Sequence, residues 1–312
     1  MTILLPAISE STFILYTQKM YTINVLNDST AVKYEKLTFP AFRYVLRSID
    51  SQKSVIALAA SYLEQPVGLA LAEIREDDSF AEVRSIFVEP AQRCAGIGTA
   101  LLTRLEEELS QRGCTKAKLS YMAGKSTTPA LERLLQKCNW APPGSRMLIC
   151  KGQVEAVIEA PWMKRYSRLP SSYSIFPWLE ITQEERQAIQ QQQETQPWIP
   201  EDLIPFQYEK HLEPLNSLGL RYQGQVVGWV INHRFSPDTI RYTCSFVRKD
   251  LQKMGRIISL YAEAAKLQLQ AKISHGIWTV PVAHESMVNF VKHRWAPYLI
   301  SIGETKGTFK LF

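Results

Sequence analysis

Long apolar runs are missing from this 312-residue chain. None approaches the ~18 residues that a membrane-spanning helix needs, so no membrane partner is expected. Paired cysteines are missing as well. The five present, Cys94, Cys114, Cys138, Cys150 and Cys244, are odd in number and show no zinc-knuckle or CxxC spacing. His233, His275, His284 and His293 match no zinc motif either, so no metal is expected. A large charge excess is also absent: 36 Lys and Arg against 30 Asp and Glu leave +6. That suits a small anionic ligand but is too scattered for a nucleic-acid surface. The opening MTILLPAISE has a short apolar stretch, no basic lead and an early Glu10, which predicts no secretory leader. Together these absences predict a soluble, reduced, cytoplasmic protein. With 46% apolar and 10% aromatic residues the chain has ordinary core material, and its length suggests two domains.

The chain repeats itself at a domain-sized spacing. EQPVGLALAEI (64–74) resembles GQVVGWVINHR (224–234), with Gly68 over Gly228. SIFVEPAQRCAGIGTALLTRLEEEL (85–109) parallels CSFVRKDLQKMGRIISLYAEAAKLQ (244–268), with Phe87-Val88 over Phe246-Val247 and Gly96 over Gly255. Each copy then reaches the same tripeptide, Trp140-Ala141-Pro142 and Trp295-Ala296-Pro297. Two copies of one fold are expected.

Within the first copy, 55–62 and 67–75 read as strands joined at Glu64-Gln65-Pro66, and 82–88 as a third. Residues 98–112 follow a helical period, with Leu101, Leu102, Leu105 and Leu109 in one stripe and Gly113 as the stop. A strand over 116–122 follows. Thr128-Pro129 opens a second helix with a hydroxyl cap, and Arg146 to Lys151 closes the copy as a strand. Asp77-Asp78 reads as a hairpin loop, 161–178 as a connection, and Gln190–Gln193 as part of an exposed helix. The expected class is α/β of the α+β mixed-sheet kind: two tandem domains, each a mixed, mostly antiparallel sheet with helices on both faces.

The segment from Val88 to Thr99 lies between a strand and an amphipathic helix. A glycine-containing turn there presents unpaired backbone N–H groups at the positive end of the helix dipole. Such a turn holds phosphate, and glycine admits it where a Cβ would collide. Gly-x-Gly by itself also fits an empty tight turn. The third glycine and acidic residue of a dinucleotide fold, and the Gly-Lys-Ser/Thr of a P-loop, are lacking.

Arg93-x-x-Gly96-x-Gly98, after Phe87-Val88-x-Pro90 and before a Leu-rich helix, resembles the acetyl-CoA loop of GNAT (Gcn5-related) N-acetyltransferases, whose pattern is Gln or Arg, x, x, Gly, x, Gly or Ala. The resemblance covers 23–152 in full and 174–312 more faintly. It implies a cofactor-binding domain at 1–160, a linker at 161–173 and a divergent second copy at 174–312. It also implies that backbone groups of Phe87 and Val88 bind the pantetheine arm of acetyl-CoA. The N–H groups of Arg93, Cys94, Ala95, Gly96, Ile97, Gly98 and Thr99 would hold the pyrophosphate, with added charge from the Arg93 side chain.

By the same resemblance the activity is acetyl transfer to a primary amine on a small molecule or peptide, directly and without an acyl-enzyme. Glu82 is the candidate base, with Glu73, at the end of the preceding strand, as runner-up; Glu82 could equally be a solvated strand-edge glutamate paired with Arg84. The family's acid is a tyrosine in Leu-Tyr-x-x-x-Gly-Phe. Here Leu134 to Trp140 puts leucine in that slot, leaving Tyr121, or water, to protonate the thiolate. In the second copy Ile257 replaces the second glycine and Phe290 takes the tyrosine slot, so a scaffold or substrate-wall role is expected there. A homodimer is one possible assembly. Two rivals stay open: a catalytically silent acyl-CoA-binding or scaffold protein, and a transferase with another acyl donor.

Overall fold

The computed structural model describes residues 21–52, 54–75, 79–166 and 168–312. Asp77, Asp78 and the opening segment with Glu10 lie outside the described residues. The chain divides into two units. One takes residues up to Ser120, Thr127–Pro143 and Gly307–Phe312; the other takes Tyr121–Ser126 and Gly144–Lys306.

In the first unit β1 (Tyr21–Val25), β2 (Val55–Tyr62), β3 (Gln65–Arg75) and β4 (Phe80–Val88) form an antiparallel meander. Helix α1 (Ile97–Gln111) leads to β5 (Lys116–Met122), parallel to β4, and α2 (Thr128–Lys137) follows. Strand β2 carries branched and small side chains because both of its faces are covered. Val55, Ala57 and Ala59 pack with Leu69 and Leu71 against Tyr34, Leu37 and Leu46 from the short helical turns before β2. On the opposite face Gly68 and Ala60 lie beneath Leu101 of α1. Leu101, Leu102, Leu105 and Leu109 are all fully buried, each contributing roughly 2–3 kcal/mol by the ordinary transfer scale.

The second unit repeats this plan. Its main elements are β6 (Gly144–Gln153), α3 (Pro161–Tyr166), β7 (Tyr173–Pro177), α4 (Gln183–Thr195), β8 (Leu218–Tyr222), β9 (Gln225–Ser236), β10 (Thr239–Val247), α5 (Arg256–Gln270), β11 (His275–Pro281), α6 (Glu285–Phe290) and the part of β12 (Leu299–Leu311) before Gly307. Strands β7 to β10 form the meander, β11 runs parallel to β10, and β6 lies antiparallel to β11 from Met147↔Pro281 to Gln153↔His275. The repeated glycines have one structural cause. Gly68 pairs with Val88 and Gly228 with Val247. A Cβ would come within 3.2 Å of the Phe87 carbonyl in one copy and 2.8 Å of the Phe246 carbonyl in the other.

Several details differ from the sequence reading. The strand expected to close the first copy at 146–151 lies beside β11 in the second unit, where Leu148 and Cys150 pack with Ile258, Val280 and Trp295. The chain's end takes the corresponding place in the first unit: the Phe312 amide donates to Thr115 at 3.0 Å and the Ala141 amide to Phe309 at 2.9 Å. Part of the expected connection is α3, with Met163 buried. Thr128 is the first helical residue of α2 rather than its cap, and Thr127 in the cap position makes no side-chain capping bond.

Candidate functional site

Between β4 and α1 the chain makes one turn of 3-10 helix, Pro90–Gln92, and extends at Arg93. It then turns left-handed at Cys94 (φ +64°) and again at Gly96 (φ +82°), where α1 starts. The first helical hydrogen bond is Ala100 N–H to Gly96 C=O at 3.0 Å. Among the described residues the amides from Cys94 to Thr99 meet no backbone acceptor, as the start of a helix requires. Little stands in front of the two glycines. A Cβ at Gly96 would meet only the Tyr21 hydroxyl at 3.7 Å, and one at Gly98 would touch Leu134 at 3.5 Å and Val88 at 3.8 Å. Both are ordinary contact distances. Cys94 is exposed, so its side chain leaves the cradle open.

Next to this turn β4 and β5 part company. Their parallel pairing runs from Phe80↔Lys116 to Val83↔Leu119, while β4 continues to Val88. The end of β4, with half-buried Phe87 and Val88, is paired on its β3 side only and runs directly into the amide-lined turn. Arg93 is turned back on the strand: its Nε donates to the Val88 carbonyl at 3.0 Å, and its guanidinium sits 5.9 Å from the Phe87 ring centre. The second copy makes the same bond with a different side chain, Gln252 Nε2 to the Val247 carbonyl at 2.9 Å. The shared requirement at this place in the loop is an N–H donor that holds the strand's last carbonyl, and either side chain supplies it.

Glu82 and Glu73 face each other across β3 and β4. Arg84 joins them. The register shift between Leu71 and Ala72 leaves Arg84 as the extra residue of a β-bulge, which re-aims its side chain. Its Nη2 and Nε lie 2.6 and 2.9 Å from Glu73 Oε2, and its Nη1 pairs with Glu82. Both carboxylates share one cation, and neither stands alone as a proton acceptor. The sequence shows an Arg near two Glu residues, but the bulge that brings them together is not legible there. Tyr121 is half-buried near the end of β5 and falls in the Tyr121–Ser126 stretch of the second unit. Leu135, in the slot where the resemblance expects tyrosine, is buried, and Asn139 adopts the left-handed conformation (φ +58°) of the glycine expected after it.

The corresponding turn of the second copy is covered. Gly255 keeps its positive φ (+69°), but a Cβ there would lie 2.8 Å from the Tyr166 ring. Ser259 Oγ fixes that residue by donating to its carbonyl at 2.6 Å. Ile257 packs inward among Ile258, Tyr261 and Trp295. Nothing in the repeat signals this cover, because Tyr166 comes from the stretch read as a connection. His233 bonds Thr243 at 2.8 Å and the Lys210 carbonyl at 3.1 Å. Among the described residues no three His, Cys, Asp or Glu side chains could together hold a metal ion, and no helix is long and apolar enough to cross a membrane.

Residues 21–140 match the acetyltransferase (GNAT) family model. No curated protein matches the chain by sequence. Among solved structures the chain is similar to a tandem GNAT protein from the clavulanic acid biosynthesis pathway, with TM-score 0.61 and 13% identity over 94% of this chain and 98% of that one. It is also similar to a GCN5-related N-acetyltransferase from Sphaerobacter thermophilus, with TM-score 0.63 and 14% identity over 93% and 95%. A third is a fungal multi-domain GH3 β-N-acetylglucosaminidase that has a GCN5-related glucosamine N-acetyltransferase region; TM-score is 0.63 and identity 12% over 94% of this chain. The chain spans 38% of that protein's length.

Proposed function

We propose that the chain belongs to the GNAT superfamily in its tandem arrangement, supported by the family match over residues 21–140 and the likeness of fold, and that its first unit is an acyl-CoA-dependent N-acyltransferase using acetyl-CoA. The observation that carries this reading is the turn from Cys94 to Thr99, whose amides meet no backbone acceptor at the N-terminus of α1, beside the stretch of β4 that β5 leaves open. A diphosphate placed there would take several N–H bonds and the favourable end of the helix dipole. Phe87 and Val88 would carry the amide-rich arm. In direct transfer a neutral amine attacks the thioester carbonyl, the C–S bond breaks, and the ammonium proton passes to a base. Glu82, or Glu73 behind it, would take that proton, with Arg84 fixing both carboxylates. The site's main work would be positioning.

One alternative has its own support. Leu135 in the acid slot and the engagement of both glutamates by Arg84 suit a protein of this fold that binds acyl-CoA without turning it over. The two readings separate in an assay of free CoA thiol released from acetyl-CoA across primary amines, from polyamines to amino acids and peptide N-termini. Catalysis predicts release accelerated by at least one amine, and a fall of at least tenfold in kcat for Glu82→Gln with acetyl-CoA affinity unchanged. Release that no amine accelerates would select the silent reading.

A further inference from the structure

The second unit holds a partly open cavity of about 410 Å³. It opens where β10 and β11 separate: their parallel pairing ends at Tyr242↔Trp278, although β10 runs on to Val247 and β11 to Pro281. By the repeat this is the counterpart of the cleft beside β4, but its chemistry has changed. Tyr166 lies close against Gly255 of its turn, although Gln252, Gly255 and Ile257 still line the cavity. Its volume is near the lower end of ~300–1,000 Å³ for small-molecule pockets.

Five rings line it: Tyr242, Tyr261, Trp278, Phe290 and Trp295. They are already arranged edge to face or tilted, with centroids 4.8 Å apart for Trp278 and Trp295, 6.1 Å for Tyr242 and Tyr261, and 6.4 Å for Tyr261 and Trp295. Met163, Ile258, Val280 and Met287 fill the spaces between them. The polar side chains in the lining are Thr243, Ser245, Gln252, Thr279 and His284, with Asp202 as its one carboxylate. Burial pushes the Tyr242 and Tyr261 phenols up, so both stay protonated, and Tyr242 donates to Gln268 at 3.0 Å. Such walls favour a flat ring that can extend the edge-to-face set.

We propose that this cavity binds a neutral aromatic small molecule, held between the Tyr and Trp rings with a hydrogen bond to Ser245 or Thr279. The inference is independent of the reaction proposed for the first unit. Its test is fluorescence titration of the full chain with 1-N-phenylnaphthylamine, a neutral aromatic probe. The expected result is saturable binding of one probe per chain, unchanged in Gly98→Glu and displaced by naphthalene at lower concentration than by 1-octanol. Thr279→Trp and Ile258→Trp, which fill the cavity from β11 and α5, should each weaken the probe at least tenfold, with circular dichroism checking that they fold. The proposal fails if the probe does not saturate or if octanol displaces it more readily. It also fails if both filled variants fold and bind normally, or if acetyl-CoA displaces the probe from Gly98→Glu. The displacement arms use unaltered cavity residues, so they decide even if a filled variant does not fold.

Discussion

The bond from residue 93 to the end of β4 explains why the loop pattern accepts either Arg or Gln. Arg93→Gln should leave the melting temperature within 1–2 °C of the parent, because Gln252 already makes the same bond to Val247 in the second copy. Arg93→Ala should lower it, leaving the Val88 carbonyl without its donor. A buried polar tie governs the far end of the same helix. Glu106 accepts from Trp140 Nε1 at 2.7 Å and pairs with Lys310 at 2.5 Å. Removing it in Glu106→Ala leaves the buried Trp140 N–H unpaired and Lys310 with only the Cys138 carbonyl, and should cost on the order of 3 kcal/mol in urea unfolding. The repeated Trp-Ala-Pro is visible in the sequence. The carboxylate under the first tryptophan is not, because residues 34 and 170 or more positions away supply the rest of the tie. At the surface, hydroxyls of Ser236 and Thr239, then the nearby His275, hold the Asp238 carboxyl down to about 2. A depressed folded value stabilises the fold above the ordinary value of 3.8 and is lost as pH falls through about 2. Asp238→Asn should therefore flatten the acid limb of stability between pH 4 and 2 relative to the parent, as read by thermal melts.

At the level of elements, local pattern decided most of what could be read. The leucine stripe of α1, the branched residues of β4 and the stop at Gly113 all have local causes, and the structure places the helix at Ile97–Gln111 against an expected 98–112. Turns were less legible. The β2–β3 hairpin bends at Leu63 (φ +48°) and Glu64 (φ +61°), one residue before the expected joint, and neither residue advertises a left-handed turn. The second copy bends at Gln223-Gly224 in the same way. Replacing Leu63-Glu64 by Asn-Gly should remove that backbone strain and stabilise the chain by about 1 kcal/mol, measured as a higher urea midpoint with unchanged slope. The bulge that carries Arg84 was equally hidden, since it depends on the register of β3 against β4 and not on either strand alone.

Across the whole molecule the duplication was legible from paired glycines, Phe-Val pairs and Trp-Ala-Pro ends. The destination of the closing strands was not, because β6 and the chain's end each pair with strands whose own sequences do not specify that neighbour. Four of the five thiols are buried by this arrangement. Desolvation pushes Cys150 up to about 11 and Cys244 to about 12, and it raises Cys114 and Cys138 as well. A thiol-disulfide reagent should find one fast cysteine in the native protein, Cys94, and five after denaturation. That fast thiol lies on the turn that matters most. Calorimetric titration of acetyl-CoA into the parent, Gly98→Ala and Gly98→Glu asks whether the turn grips the ligand. One site per chain in the first two, and no measurable binding in a folded Gly98→Glu protein, is the expected result. Parental affinity in Gly98→Glu, or two equal sites per chain despite the tyrosine over Gly255, would contradict it.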